Sequence, residues 1–182
     1  MTTPLADMPA FFTSSIPLWF FIAAPFGVML LFFVLGLYGD RQGVGRSLEG
    51  GWQGYSTAQV ARTFESYGPR GRARYRHRLL VADAAFAATY AIVGLMIVVG
   101  LSMRDYSLTV ALLCGGGWLF GGLCDIAEGF GLARLLDRYP AVDDGDVAFA
   151  SGFTRIKLVL FLAGLAGALA AIWLVFRPLA GV

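Results

Sequence analysis

The chain has 182 residues, of which 58% are hydrophobic and 14% charged, with a formal net charge of +2 and a mean hydropathy of +0.70. Soluble domains are about 25% charged, so this is the composition of a membrane protein. A single histidine, His77, excludes a His-ligated haem or a multi-His metal centre, and no metal or other cofactor is expected.

Residues 1–16 carry no Lys or Arg, whereas a secretory signal needs a positive n-region. The apolar run that follows is long enough to span a bilayer. Leu18–Leu37 is therefore expected to be a retained first transmembrane helix, anchored by Phe11, Phe12 and Trp19 at the interface and bent at Pro25. A polar connection occupies residues 39–78. Gly43, Gly45, Gly50, Gly51 and Gly54 make its first half flexible. Ser56-Thr57-Ala58-Gln59 reads as a capping box. It opens a short amphipathic helix with Val60, Phe64 and Tyr67 on one side, ended by Gly68-Pro69. Arg70, Arg72, Arg74, Arg76 and Arg78 then lead into the second apolar run.

Leu79–Leu101 is the second span. Asp83 and Tyr90 are seven apart and share a face, and Arg76 lies seven before Asp83 on that same face. Ser102–Ser107 is a short turn. The third span, 108–130, contains Gly115, Gly116, Gly117, Gly121 and Gly122. Its Gly117-x-x-x-Gly121 pattern predicts close helix packing. Cys114 and Cys124 fall about 15 Å apart along this helix, too far for a disulfide. A second polar loop covers 131–151. Its Asp143-Asp144-Gly145-Asp146 run lacks the further ligands and closing Glu of a calcium loop, and is expected to be solvated and to cap a helix. The fourth span, 152–176, repeats Ala163, Gly167 and Ala171 at i+4, another packing face.

Four spans put both ends of a single membrane domain on one side. Eight arginines lie in the first connection, with Arg134 and Arg138 in the third, against Arg104 and Arg177 on the other side. The positive-inside rule puts the two polar loops in the cytoplasm and both termini outside. The expected architecture is an all-α membrane protein, an antiparallel four-helix transmembrane bundle with a short amphipathic helix in its first cytoplasmic loop. Counting residues from the span ends places Asp83, Asp125, Arg155 and Lys157 in one layer near the cytoplasmic leaflet. The outer half holds only mild groups such as Thr109, Ser102 and Tyr90. A proton or ion path needs polar groups across the whole core, so conduction is disfavoured.

Asp125 and Glu128 share one helix face, and Thr154 and Lys157 another. Consecutive helices usually pack together, which would bring these pairs to one depth. One reading is an ion-pair cluster that fixes register, with Lys157 and Arg155 neutralising the acids. The other is a site for a lipid headgroup or amphiphilic ligand built from Arg76, Asp83, Tyr90, Asp125, Glu128, Thr154, Arg155 and Lys157. Acids outnumber bases in this layer, an excess that lets one carboxyl hold a proton. Asp125 or Glu128 is then a candidate acid/base of a lipid-modifying enzyme. A further alternative is an accessory subunit that docks a second copy or a larger membrane complex through the glycine faces. The arginine run from Arg70 to Arg78 is expected to attract anionic lipid headgroups, at about 1 kcal/mol per residue. Nucleic acid is not expected, because no recognition element accompanies the charge.

Asp125-x-x-Glu128-Gly129-x-x-x-Ala133-Arg134 is similar to the start of the CDP-alcohol phosphotransferase signature, D-x-x-D-G-x-x-A-R. It departs from that signature in having Glu for the second Asp and one extra residue, and in lacking the second half. A broader pattern runs Tyr67-Gly68, Gly71-Arg72, Tyr75, Asp83, Tyr90, then Asp125-x-x-Glu128, Leu135-Leu136, Tyr139-Pro140, Ser151, Thr154 and Lys157. It resembles an uncharacterised bacterial family of small four-span membrane proteins, in which Asn usually stands where this chain has Gly129. The resemblance implies a multi-pass protein of the bacterial inner membrane and groups these polar residues into one site. It implies no activity.

Overall fold

Residues 17, 19–41, 48 and 53–177 are described by the computed structural model, and no strand occurs among them. The expected anchors Phe11 and Phe12, and most of the glycines of the first connection, lie outside the described residues. Helix α1 spans Phe20–Arg41 and α2 spans Thr57–Arg78. α3 is a π turn at Leu79–Asp83 that runs into the α-helix Ala84–Ser102. α4 spans Leu108–Arg138 and α5 spans Asp144–Phe176. The continuous segment Thr57–Ser102, α4 and α5 are each long and apolar enough to cross a membrane, and Phe20–Leu31 is a shorter apolar stretch. This is the profile of a helical membrane protein.

Local chemistry accounts for the helix ends. Ser56 Oγ accepts from Gln59 N at 3.4 Å and opens α2, and Ser107 does the same for α4 through Val110 N. Asp143 Oδ2 accepts from Asp146 N at 3.0 Å at the start of α5, so the acidic run includes the cap expected of it. Gly68 takes φ +60°, a break between Tyr67 and Pro69. The helix then resumes, because proline suits a first helical turn. The arginine run therefore forms the first turns of the helix that becomes α3, rather than a polar connection.

α4 and α5 are also longer than their predicted spans. Their 31 and 33 residues measure about 46 and 50 Å, against a hydrocarbon core of about 30 Å. Hydropathy marks only the apolar part of each. The charged ends stay helical because Arg134 and Arg138 of α4 both reach Asp146 of α5.

α4 packs between α3 and α5 through glycines. A Cβ on Gly94 would lie 2.5 Å from Leu119 N, and one on Gly122 would lie 2.5 Å from Ala87 O. On the other side, a Cβ on Gly117 would lie 2.7 Å from Gly164 Cα and 2.8 Å from Leu160 O. Numbers rise along α4 as they fall along both neighbours. α1 leans on this trio through buried Phe21 and Val28, and Arg104 stacks over the Phe21 ring at 5.0 Å. Its other face, including Ile22, Phe26 and Leu30, is exposed.

Two apolar clusters form the interior. One gathers Ile97, Leu101, Ala111, Trp118, Ala168 and Ala171 around Phe21 and Val28. The second joins Val60 and Phe64 of α2 to Tyr75, Leu79, Leu132, Leu135, Val147 and Ala150. A strap before α2 docks on α5: Tyr55 N donates to Ser151 Oγ at 3.0 Å, and Arg155 donates to Gln53 O. Gly54, between them, has φ +72°, and a Cβ there would collide with Ser151 Oγ. Gly54→Ala is therefore expected to release the strap while the long helices stay folded. Limited proteolysis should cut the variant near residue 54 at a protease level that leaves the parent protein intact.

Candidate functional site

Between the two apolar clusters lies a chain of polar side chains drawn from three helices. Tyr90 of α3 donates its hydroxyl to Asp125 Oδ2 at 3.0 Å. Lys157 of α5 stands 2.6 Å from Asp125 Oδ1 and 2.5 Å from Glu128 Oε2. Thr154 Oγ1 donates to Glu128 Oε1 and also lies 3.3 Å from Ala150 O. Tyr90, Glu128 and Thr154 are buried, whereas the side chains of Asp125 and Lys157 keep 16% and 12% of their exposure. The polar chain thus approaches the protein surface at its middle, the Asp125–Lys157 contact, while both of its ends are buried.

Helix geometry explains why these residues meet. A side chain leans toward the N-terminus of its own helix. Tyr90 therefore leans back along α3, and Asp125 leans back along α4 in the opposite sense, closing the axial gap between them. Residue counting puts Tyr90 with the mild groups of the outer half; its ring and reach bring the hydroxyl to Asp125 instead. The layer above it is aromatic: Tyr90 and Phe161 pack edge-on at 5.4 Å, and Trp118 Nε1 donates to Phe161 O at 3.1 Å. Below it lie buried Leu79, Leu132, Leu135 and Ala150. Sequence reasoning did not single out Trp118 or Phe161. Their spacing could have flagged both, since Trp118 is seven before Asp125 and Phe161 is four after Lys157, each on the same helical face.

The other expected site residues have different partners. Arg76 forms a two-pronged pair with Asp137 of α4, Nε to Oδ1 at 2.8 Å and Nη2 to Oδ2 at 3.1 Å. That hydrogen bond, and then the attraction of the carboxylate, raise the Arg76 guanidinium further above its ordinary value. Both side chains are about half exposed, so the pair adds little stability and is screened by salt. The arginine that reaches Asp83 is Arg78, at 3.4 Å. The cause is the π turn: its i→i+5 spacing replaces the seven-residue phase of an unbroken α-helix. Ala84 N accordingly bonds Leu79 O. Arg155, expected to neutralise the acids, is exposed and turned to the Gln53 carbonyl.

Chemically, two carboxylates share one ammonium, and hydroxyl donors occupy a further oxygen of each acid. Burying such charges is costly unless each is paired and hydrogen-bonded. The cluster holds Lys157 between two acids, and each of their four oxygens meets a donor of the same chain. No family model, no curated protein and no solved structure matches this chain, so its role is to be read from its own geometry.

Proposed function

We propose that this is a four-span inner-membrane protein, an antiparallel bundle with both termini periplasmic, whose Tyr90–Asp125–Lys157–Glu128–Thr154 cluster binds a lipid headgroup or another amphiphile at the depth of the cytoplasmic leaflet. The observation that carries this reading is the single Lys157 ammonium shared by two carboxylates beneath an aromatic layer, with the Asp125–Lys157 contact partly exposed. The opposite order of residue contacts between α4 and its neighbours supports the antiparallel arrangement. Arginine-rich ends beside Asp125 and Glu128, rather than beside Arg104, support the cytoplasmic assignment. Arg70, Arg74, Arg76 and His77 are exposed on one segment of α2, which suits attraction of anionic headgroups.

A ligand for this cluster has a polar end that donates hydrogen bonds or carries positive charge, because the acids outnumber Lys157. An apolar tail leaves sideways toward lipid. The accessory-subunit reading gains nothing from the glycine faces, since Gly94, Gly117, Gly122 and Gly164 are filled by neighbouring helices of the same chain.

The test is a mass-spectrometric inventory of amphiphiles that copurify with the full chain and with Asp125→Asn, which removes one charged acceptor at the partly exposed Asp125–Lys157 contact. The expected result is an amphiphile bound to the parent protein and reduced about tenfold in the variant, the loss of one hydrogen bond to a charged acceptor. Identical inventories with a lowered unfolding temperature would reduce the cluster to a register-fixing ion pair.

A further inference from the structure

Outside the cluster, a groove of about 480 Å³ runs between α4 and α5 on the outer surface of the bundle. It is lined by Ala127, Phe130, Gly131 and Arg134 of α4, and by Gly145, Asp146 and Phe149 of α5. The α4 residues fall at i, i+3, i+4 and i+7, a single helical stripe, and this stripe is not the one that carries Glu128. Small residues make the floor: a Cβ on Gly131 would already stand 3.2 Å from Ala150 Cβ. Phe130 and Phe149 form exposed walls, and Phe149 is braced edge-on by Phe153 at 4.8 Å.

The groove lies where the surface changes character on both helices at once. Along α4, exposed Phe120, Leu123 and Phe130 give way to exposed Arg134, Asp137 and Arg138. At the start of α5, exposed Asp143 and Asp144 give way to exposed Phe149, Ile156 and Val159, interrupted by Arg155, which donates to the Gln53 carbonyl. A bilayer's hydrocarbon would end at that change. Arg134 stands there with its side chain 59% exposed, 3.5 Å from Asp146, while Asp146 is engaged more closely by Arg138. A guanidinium has five donors, and this contact leaves Arg134 most of them for a planar, two-oxygen partner.

We propose that the groove seats one phospholipid, its phosphodiester on Arg134 and its glycerol and upper acyl chain between Phe130 and Phe149. Charge complementarity selects this occupant: a cation at the polar rim and two aromatic walls on the apolar side match a phosphate joined to hydrocarbon. Asp146 accepts from Arg138, Asp144 from Thr57, and Asp143 caps its own helix, so each has structural work on the rim. This site stands independently of the Asp125–Lys157 cluster.

Native mass spectrometry of the delipidated full chain tests the assignment, with palmitoyl-oleoyl phosphatidylglycerol, the corresponding phosphatidylcholine, and the matching diacylglycerol as probes. One adduct that depends on Arg134 is expected with each phospholipid, within about threefold of each other because they share the phosphodiester, and none that depends on Arg134 is expected with diacylglycerol. Arg134→Gln should weaken that adduct about tenfold or more. Ala127→Trp, which fills the groove and leaves Arg134 in place, should weaken it similarly. Arg62→Gln, an exposed arginine elsewhere on α2, should match the parent. Wild-type binding by both Arg134→Gln and Ala127→Trp overturns the proposal. So does diacylglycerol binding that Arg134→Gln weakens as much as it weakens phospholipid binding, or equal losses on removing Arg62 and Arg134.

Discussion

Lys157→Met is expected to lower stability by about 3–5 kcal/mol, the cost of leaving a buried charge without its partner. The substitution keeps the length and apolar stem of the side chain, so packing changes little. What changes is that Asp125 and Glu128, bridged by one ammonium at 2.6 and 2.5 Å, face each other without it. Glu128 is buried to 1% exposure, and water is not at hand to replace the lost contact. Adding Glu128→Gln and Asp125→Asn to the same chain removes the stranded charges and should recover most of the loss. Buried ion pairs replaced by neutral groups are often no less stable than the original. Unfolding of the detergent-purified single and triple variants, followed by temperature or denaturant, reads this directly. A single variant as stable as the parent would mean that Lys157 does not hold the acids. A triple variant no better than the single one would place the cost in packing rather than in charge.

The second large effect is expected at the α4–α5 contact. In Gly117→Val, the new side chain would begin 2.7 Å from Gly164 Cα and 2.8 Å from Leu160 O, all backbone. Backbone cannot swing aside as a flexible side chain can, so the two helices must separate. Overpacking of this kind costs about 1–3 kcal/mol, and the displacement also disturbs Trp118, whose indole bonds Phe161 O across the same seam. At about 2–4 °C per kcal/mol for a chain of this size, the unfolding midpoint should fall by roughly 2–12 °C. Gly152→Ala is the matched control. A Cβ at Gly152 meets nothing within 4 Å, and alanine is favoured over glycine in a helix by about 1 kcal/mol. The control should be neutral or slightly stabilised, and the gap between the two variants isolates the contact. Equal effects at both positions would show that the seam is not close-packed.

How far the residues alone reach can be judged from particular contacts. The apolar runs were legible because a span needs an uninterrupted hydrophobic length. The pairing of Asp125 with Glu128, and of Thr154 with Lys157, was legible because three residues make nearly one helical turn. The cap at Ser56, and a cap somewhere in the acidic run, were legible for the same local reason; that Asp143 supplies it came from the structure. Longer relations were not. One π turn moved Asp83 from the Arg76 face to Arg78. A strap about a hundred residues away drew Arg155 to the Gln53 carbonyl. The direction in which two opposed helices tilt their side chains carried the Tyr90 hydroxyl to Asp125.

By itself, then, the sequence determined where the apolar helices lie, which of their neighbours share a face, and that a few acids and one lysine sit among them. Those are properties of period and transfer energy, set within about one turn of chain. The tertiary structure alone decided which base meets which acid, that charged chain ends extend the helices, and that a groove with Arg134 at its rim opens between α4 and α5. Each of these depends on helix phase and axial offset between separate segments, and a shift of one residue is enough to exchange one partner for another.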